Sequence, residues 1–230
     1  MIKISNVKFR WQPADSLVIN VPLLKVEKGE CLFISGPSGS GKSTLLNLLG
    51  GVLEPESGEI FLMGEDITTM SSNQRDIYRA DHLGLLFQMF NLMPFLSVLD
   101  NVTLPCLFSE SRRHSAVERS GSIDAEAIRL LHHMGLDLDE IGDRSVNLLS
   151  TGQQQRVAAA RALLGTPEFI IADEPTSALD SDARYAFLEL LFKEIKTVGS
   201  TMVFVSHDNN LSSLFDNAVN LNDVNLSVGI

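Results

Sequence analysis

The chain has 230 residues, 44% of them apolar, and a formal net charge of −11. That length suits one large domain, or one domain with a subdomain, and the apolar fraction excludes a disordered chain. The acidity argues against a nucleic-acid partner, which usually needs a basic face, and against direct docking on anionic lipid.

Residues 2–9 alternate, with Ile2 and Ile4 separated by polar positions and followed by Val7 and Phe9, which predicts an edge strand. The first residues, Met1-Ile2-Lys3-Ile4-Ser5-Asn6, carry no signal-peptide pattern, and no apolar run is long enough to span a bilayer. Any membrane role is therefore expected to pass through a partner. A second strand is expected near residues 17–21, and Glu27-Lys28-Gly29-Glu30 turns into the apolar run 31–34. Cys31 lies in that run, far from Cys106 and in no metal or redox spacing, so it reads as a buried thiol suited to a reducing compartment.

The next stretch is Gly36-Pro37-Ser38-Gly39-Ser40-Gly41-Lys42-Ser43-Thr44, followed by Leu45, Leu46, Leu48 and Leu49. It fits G-x-x-x-x-G-K-[ST] between an apolar strand and a helix, the context that makes the motif a phosphate cradle. Glycines let successive backbone N–H groups turn inward on phosphate oxygens, and the helix N-terminus adds donors and partial positive charge. Lys42 would reach the β- and γ-phosphates and the Ser43 hydroxyl would ligate Mg²⁺. A nucleoside triphosphate is the implied ligand.

Gly50-Gly51 stops the helix, and residues 59–63 form a strand between turns, so a small antiparallel sheet is expected beside the nucleotide core. Residues 71–81 read as a polar helix and 83–87 as a buried strand ending at Gln88. Helices are expected near 97–108, 123–134 and 153–164, with the polar stretch 109–122 as a mobile loop. Residues 168–172 and 201–205 read as buried strands, with an amphipathic helix over 182–198. Strands alternating with helices argue for a parallel sheet covered on both faces.

The strand at 169–172 delivers Asp173 and Glu174 at its C-terminal end, the edge where open α/β sheets bind ligands. Asp173 would hold Mg²⁺, and Glu174 would orient the attacking water and accept its proton. In Leu149-Ser150-Thr151-Gly152-Gln153-Gln154-Gln155-Arg156, Ser150 is placed to cap the helix that follows, leaving backbone donors that could face an anion.

Taken together, residues 36–44, 149–156, 169–174 and His207 resemble the ATP-binding cassette family over essentially the whole chain. The resemblance implies an α/β fold: a P-loop NTPase core with a mostly parallel sheet, an N-terminal antiparallel β subdomain and an inserted α-helical subdomain. The expected division is 1–35 with 57–65 for the β subdomain, 36–88 with 156–230 for the core, and 89–155 for the helical part. It implies ATP and Mg²⁺ as ligands, with Ser43, Gln88 and Asp173 at the metal and Glu174, His207, Gln88 and Lys42 in catalysis. Trp11 sits where the family stacks an aromatic on adenine, with Phe9 as the rival. Ser150, Thr151, Gly152 and Gln153 match the family signature, and Ser177-Ala178-Leu179-Asp180 its D-loop.

The resemblance also implies a homodimer stacked head to tail, with each ATP between residues 36–44 of one copy and 150–153 of the other. An integral membrane permease would be the second partner, placing the chain in the cytoplasm on the inner face of the membrane. The apolar stretch 90–96 is either its docking surface or ordinary core. Residues 87–105 look like the macrolide-efflux and lipoprotein-releasing branch; a regulatory ATPase of the cell-division type and a soluble cassette are the alternatives. Two departures stand out. Thr151 replaces a family glycine, which would strain a backbone at positive φ, and residues 217–230 lack a closing Asp-Gly turn.

Overall fold

A computed structural model describes residues 1–141 and 144–227. Residues 142–143 of the expected helical part and 228–230 of the expected core lie outside the described residues. The elements in chain order are β1 (Ile2–Phe9), β2 (Ile19–Val26), β3 (Cys31–Ser35), α1 (Lys42–Leu49), β4 (Ser57–Leu62), β5 (Glu65–Asp66), α2 (Ser72–His82) and β6 (Leu83–Leu86). They continue with α3 (Val98–Thr103), α4 (Glu110–Ser120), α5 (Ile123–His133), α6 (Leu138–Ile141), α7 (Thr151–Leu163), β7 (Phe169–Asp173), α8 (Ser181–Val198), β8 (Thr201–Val205), β9 (Asn217–Asn220) and α9 (Leu221–Val224). Antiparallel strands, parallel strands and flanking helices make the chain α/β. None of the described helices is long and apolar enough to cross a membrane.

The chain forms two compact units: Met1–Arg79 with the described residues from Thr201 on, and Ala80–Ser200. In the first, an antiparallel sheet runs in the order β2-β1-β4-β5. Its β1 pairs on one side with β2 (Ile4 opposite Leu24) and on the other with β4 (Ile4 opposite Ile60). The expected edge strand is thus an interior strand. Alternation reports that one face is buried, which holds for Ile2, Ile4, Val7 and Phe9, but it carries no information on how many neighbours pair with the backbone.

The same unit holds β3 between β8 and β9, all parallel. Residues of β3 and β8 are buried on both faces, as parallel strands require, and Phe33, Phe204 and Phe215 pack ring to ring with centroids 5.0–6.2 Å apart. In the second unit β6 pairs in parallel with β7, Leu83 opposite Phe169 and Leu86 opposite Ala172. Helix α7 precedes β7 and lies so close to β6 that a Cβ on Gly84 would meet the Ala162 carbonyl oxygen at 2.3 Å. Only glycine permits that approach.

Residues 110–120 form a helix, where a mobile loop was expected. Ser109 caps it by accepting from the Arg112 N–H, and Gly121 ends it at φ 84°. Its buried contact is made by Ala116 and Arg112 rather than by a hydrophobic stripe, so apolar periodicity had nothing to report. The Arg112 guanidinium donates to the carbonyl oxygens of Leu83, Ala162 and Leu164 at 3.2, 2.7 and 2.8 Å. Burial lowers its pKa to about 10, so it remains charged at neutral pH. The helix expected over 97–108 ends earlier, at Thr103. Pro105 cannot continue the hydrogen-bond ladder, and a 3₁₀ turn over Leu104–Leu107 takes its place.

Candidate nucleotide site

In the first unit the phosphate-loop motif connects β3 to α1. Gly41 occupies the N-cap of α1 at φ 96°, and a Cβ there would lie 3.0 Å from Ile19 Cδ1 and 3.2 Å from the Val18 carbonyl oxygen. Both facts demand glycine. Pro37, Ser38, Gly39 and Ser43 are exposed, while Ser40, Thr44 and Lys42 are buried, Lys42 to 7% exposure. An ammonium at that depth needs partners, and Lys42 Nζ donates to the carbonyl oxygens of Gly36 and Pro37 at 2.8 and 2.9 Å. The lysine is thereby held against the loop that its motif belongs to.

Parallel register brings His207 to the same edge. Ile34 of β3 is paired with Val205 of β8, and the Ser206 N–H donates to the Ile34 carbonyl oxygen at 3.2 Å. Gly36 and His207 therefore each lie two residues beyond one matched pair, with His207 exposed. Trp11 is 59% exposed and meets Phe9 edge-on, with centroids 5.2 Å apart. Phe9 itself is buried in the antiparallel sheet, which removes it as an accessible stacking partner.

The second unit repeats this logic. Leu86 of β6 is paired with Ala172 of β7, so Gln88 and Glu174 both lie two residues past the matched pair, with Asp173 ending β7. Glu174 holds φ 46°, an uncommon conformation for a residue with a Cβ and one that concentrates at functional sites. Asp180, at the end of the D-loop match, caps α8 by accepting from the Ala183 N–H at 2.9 Å.

Ser150 caps α7 as expected, and does so reciprocally. Its hydroxyl accepts from the Gln153 N–H at 3.3 Å, and the Gln153 side chain accepts from the Ser150 N–H at 2.9 Å. Thr151 is the first helical residue and is not at positive φ, and Gly152 continues the helix. The strain expected from a β-branched residue at this position is therefore absent here: a helix N-terminus accepts threonine readily.

Several positioning residues had no sequence signal. After Gln88, Phe90 and Asn91 both hold positive φ, at 56° and 50°. Arg161 of α7 donates to their carbonyl oxygens at 2.6 and 2.7 Å. The buried Asn101 side chain accepts from the Met93 N–H and donates to the carbonyl oxygens of Met93 and Ser97 at 3.1 and 3.0 Å. Pinned in this way, the segment splits: Phe90 is buried, while Met89 and Phe95 are each 80% exposed.

Against known proteins, the profile of the ABC transporter family matches residues 20–177, well over half of the chain. The chain belongs to the ABC transporter family. The cassette is 38% identical to the uncharacterized ABC transporter ATP-binding protein MJ0796 of Methanocaldococcus jannaschii, over 97% of this chain and 94% of that one. It is 36% identical to the macrolide export ATP-binding/permease protein MacB of Vibrio parahaemolyticus, over 97% of this chain but 33% of MacB. The dimeric post-hydrolysis structure of the cassette MJ0796, bound to ADP and Pi, superposes at TM-score 0.83 with 36% identity, covering 96% of this chain and 94% of that one. The cassette is an ATP-binding and ATP-hydrolysing subunit with the P-loop α/β fold of its relatives.

Proposed function

We propose that this cassette binds ATP through residues 36–44, hydrolyses it through Glu174, and drives a membrane permease by opening and closing as a head-to-tail homodimer. The observation that carries this is the paired register. Gly36 and His207 leave one strand edge together, and Gln88 and Glu174 leave another.

Lys42 would neutralise β- and γ-phosphate charge, His207 would contact the γ-phosphate, and Trp11, exposed beside Phe9, would stack on adenine. Ser43 and Asp173, with the Gln88 amide, offer the hard oxygen donors that suit Mg²⁺, which keeps few protein ligands and takes the rest from phosphate and water. When bound, Mg²⁺ would supply charge neutralisation on the phosphate oxygens. Glu174 would orient water in line and take its proton. The signature, Ser150 to Gln153, would close on the ATP of a second copy, the capping box fixing the N–H donors at the start of α7. Because ATP favours the closed form, its binding energy would shift the population toward it, and hydrolysis would reverse the shift.

The exposed Met89 and Phe95 supply the permease contact, and the clips from Arg161 and Asn101 hold that contact rigid. Within 90–96 this supports the docking alternative at Met93 and Phe95, while Phe90 is buried and Leu92 and Leu96 are half-buried. The MacB resemblance favours the macrolide-efflux and lipoprotein-releasing branch, with the cassette peripheral on the cytoplasmic face through its permease. Capture of the permease by the wild-type cassette and by a Phe95→Asp variant tests this. Loss of capture in the variant is expected, and capture at the wild-type level would refute the docking surface.

A further inference from the structure

The C-terminal segment was the part of the sequence with no assigned purpose, and its residue Asn225 is one of the most buried polar groups in the chain, at 1% exposure. It follows α9, whose first residue, Leu221, packs behind the phosphate loop: a Cβ on Gly36 would lie 3.5 Å from the Leu221 Cβ. The Asn225 amide then reaches two different stretches of chain. Its Nδ2 donates to the Val18 carbonyl oxygen at 2.9 Å and to the Ser40 carbonyl oxygen at 3.4 Å, the second inside the phosphate loop. Its Oδ1 accepts from the Asn20 N–H at 2.7 Å and from the Ser227 N–H at 3.4 Å. Ser227 in turn donates to the Val18 carbonyl oxygen at 2.8 Å, and the Leu226 N–H donates to the Asn20 carbonyl oxygen at 2.8 Å.

Val18 and Ser40 matter because of what lies beside them. Residues 10–18 carry Trp11 into β2, and the Val18 carbonyl lies against Gly41, the N-cap of α1. One amide group therefore ties the exit of the Trp11 loop to the phosphate loop. All four bonding positions of an amide are used, which leaves little rotational freedom. We infer that Asn225 is a positioning residue that fixes the phosphate loop relative to the adenine-side loop, so that the C-terminal segment braces the ATP site from behind. This rests on the reading of residues 36–44 and Trp11 as the ATP site.

Trp11 is the only tryptophan, so its fluorescence reports adenine-side binding directly. ATP titration of wild type, Asn225→Ala and Ser227→Ala, together with amide exchange, separates the two readings. If wild type binds ATP without a Trp11 signal, the adenine assignment fails while the brace remains open to the exchange measurement. The brace predicts about tenfold weaker ATP binding for Asn225→Ala, the scale of one lost buried hydrogen-bonding group. Faster exchange should be confined to 18–20 and 38–41. Ser227→Ala, a partly buried and milder change, should show the same pattern at smaller amplitude and serves where Asn225→Ala does not fold. ATP affinity at the wild-type level would overturn the proposal. So would faster exchange spread evenly through β1, β3 and β8, since that is what a purely structural residue would give.

Discussion

The Arg161 guanidinium donates to the Phe90 carbonyl oxygen at 2.6 Å, joining the helix that begins at Thr151 to the segment that follows Gln88. A second bond to the Asn91 carbonyl oxygen at 2.7 Å makes the contact a clip on two consecutive residues at positive φ. Arg161→Ala removes both donors, and a loss of about 2 kcal/mol is expected from urea unfolding. Amide exchange should speed up at residues 89–92 first. Arg161→Lys keeps the charge without the planar fork and should recover only part of the loss.

Glu174→Gln keeps the size of the side chain and removes the carboxylate that the proposal makes the base. Hydrolysis should fall by about 10²- to 10⁴-fold while ATP still binds, so the variant should accumulate as an ATP-bound dimer on a sizing column. Hydrolysis at the wild-type rate would show that the proton goes elsewhere.

The helical geometry of Thr151 gives the opposite expectation from its sequence departure. Thr151→Gly should lower thermal stability slightly, by about 0.5 kcal/mol, and leave ATP-driven dimerisation within about twofold of wild type. A marked gain in dimerisation would mean that the threonine side chain, rather than its backbone, obstructs the contact.

Arg112 bonds three carbonyl groups that no other described side chain is shown to serve. Arg112→Ala removes all three bonds in a buried setting, so a destabilisation of about 3 kcal/mol is expected in denaturant titrations. Gly84→Ala should be comparably harmful, since its Cβ would collide with backbone at Ala162 and with the Ile170 Cδ1 at 2.6 Å.

His82 and Glu168 predict a pH dependence in the second unit, their Nδ1 and Oε2 being 3.0 Å apart. The hydrogen bond to Glu168 raises the His82 pKa above its ordinary 6.5, against the opposing pull of burial. Burial raises Glu168, but the hydrogen bond from His82 and the nearby charges outweigh it and leave the group below its ordinary 4.5. The raised histidine stabilises below its ordinary pKa and loses that contribution as pH rises through the folded value. The lowered carboxylate stabilises above its ordinary pKa and loses it as pH falls through the folded value. His82→Ala should therefore lower the melting temperature more at about pH 5.5 than at about pH 8.5. An equal loss at both would exclude a charged pair.

Much of the fold and of the candidate site was legible in the sequence. The strand-loop-helix of the phosphate loop, the carboxylates ending β7 and the Ser150 cap are all local patterns. Each is set by residues within a few positions of one another, where backbone preference and capping act. By contrast, the helix at 110–120 hid behind arginines, because its buried face is built from a hydrogen-bonded guanidinium rather than from a hydrophobic stripe. Phe90 and Phe95 belong to one apolar run, yet one turns inward and the other outward, in a segment bonded by the distant Arg161 and by Asn101.

The sequence by itself determined the family of this protein: the stretches 36–44, 149–156 and 169–174 and His207 stand in the order of an ABC cassette. Tertiary structure alone decided what holds those parts in place. The interior position of β1 depends on its second pairing partner, and the brace at Asn225 on a hydrogen bond to Asn20 across 205 positions. Periodicity records which face a residue turns to the core. It does not record which distant backbone group a buried amide will meet, because that distance is fixed only when the sheets and helices pack.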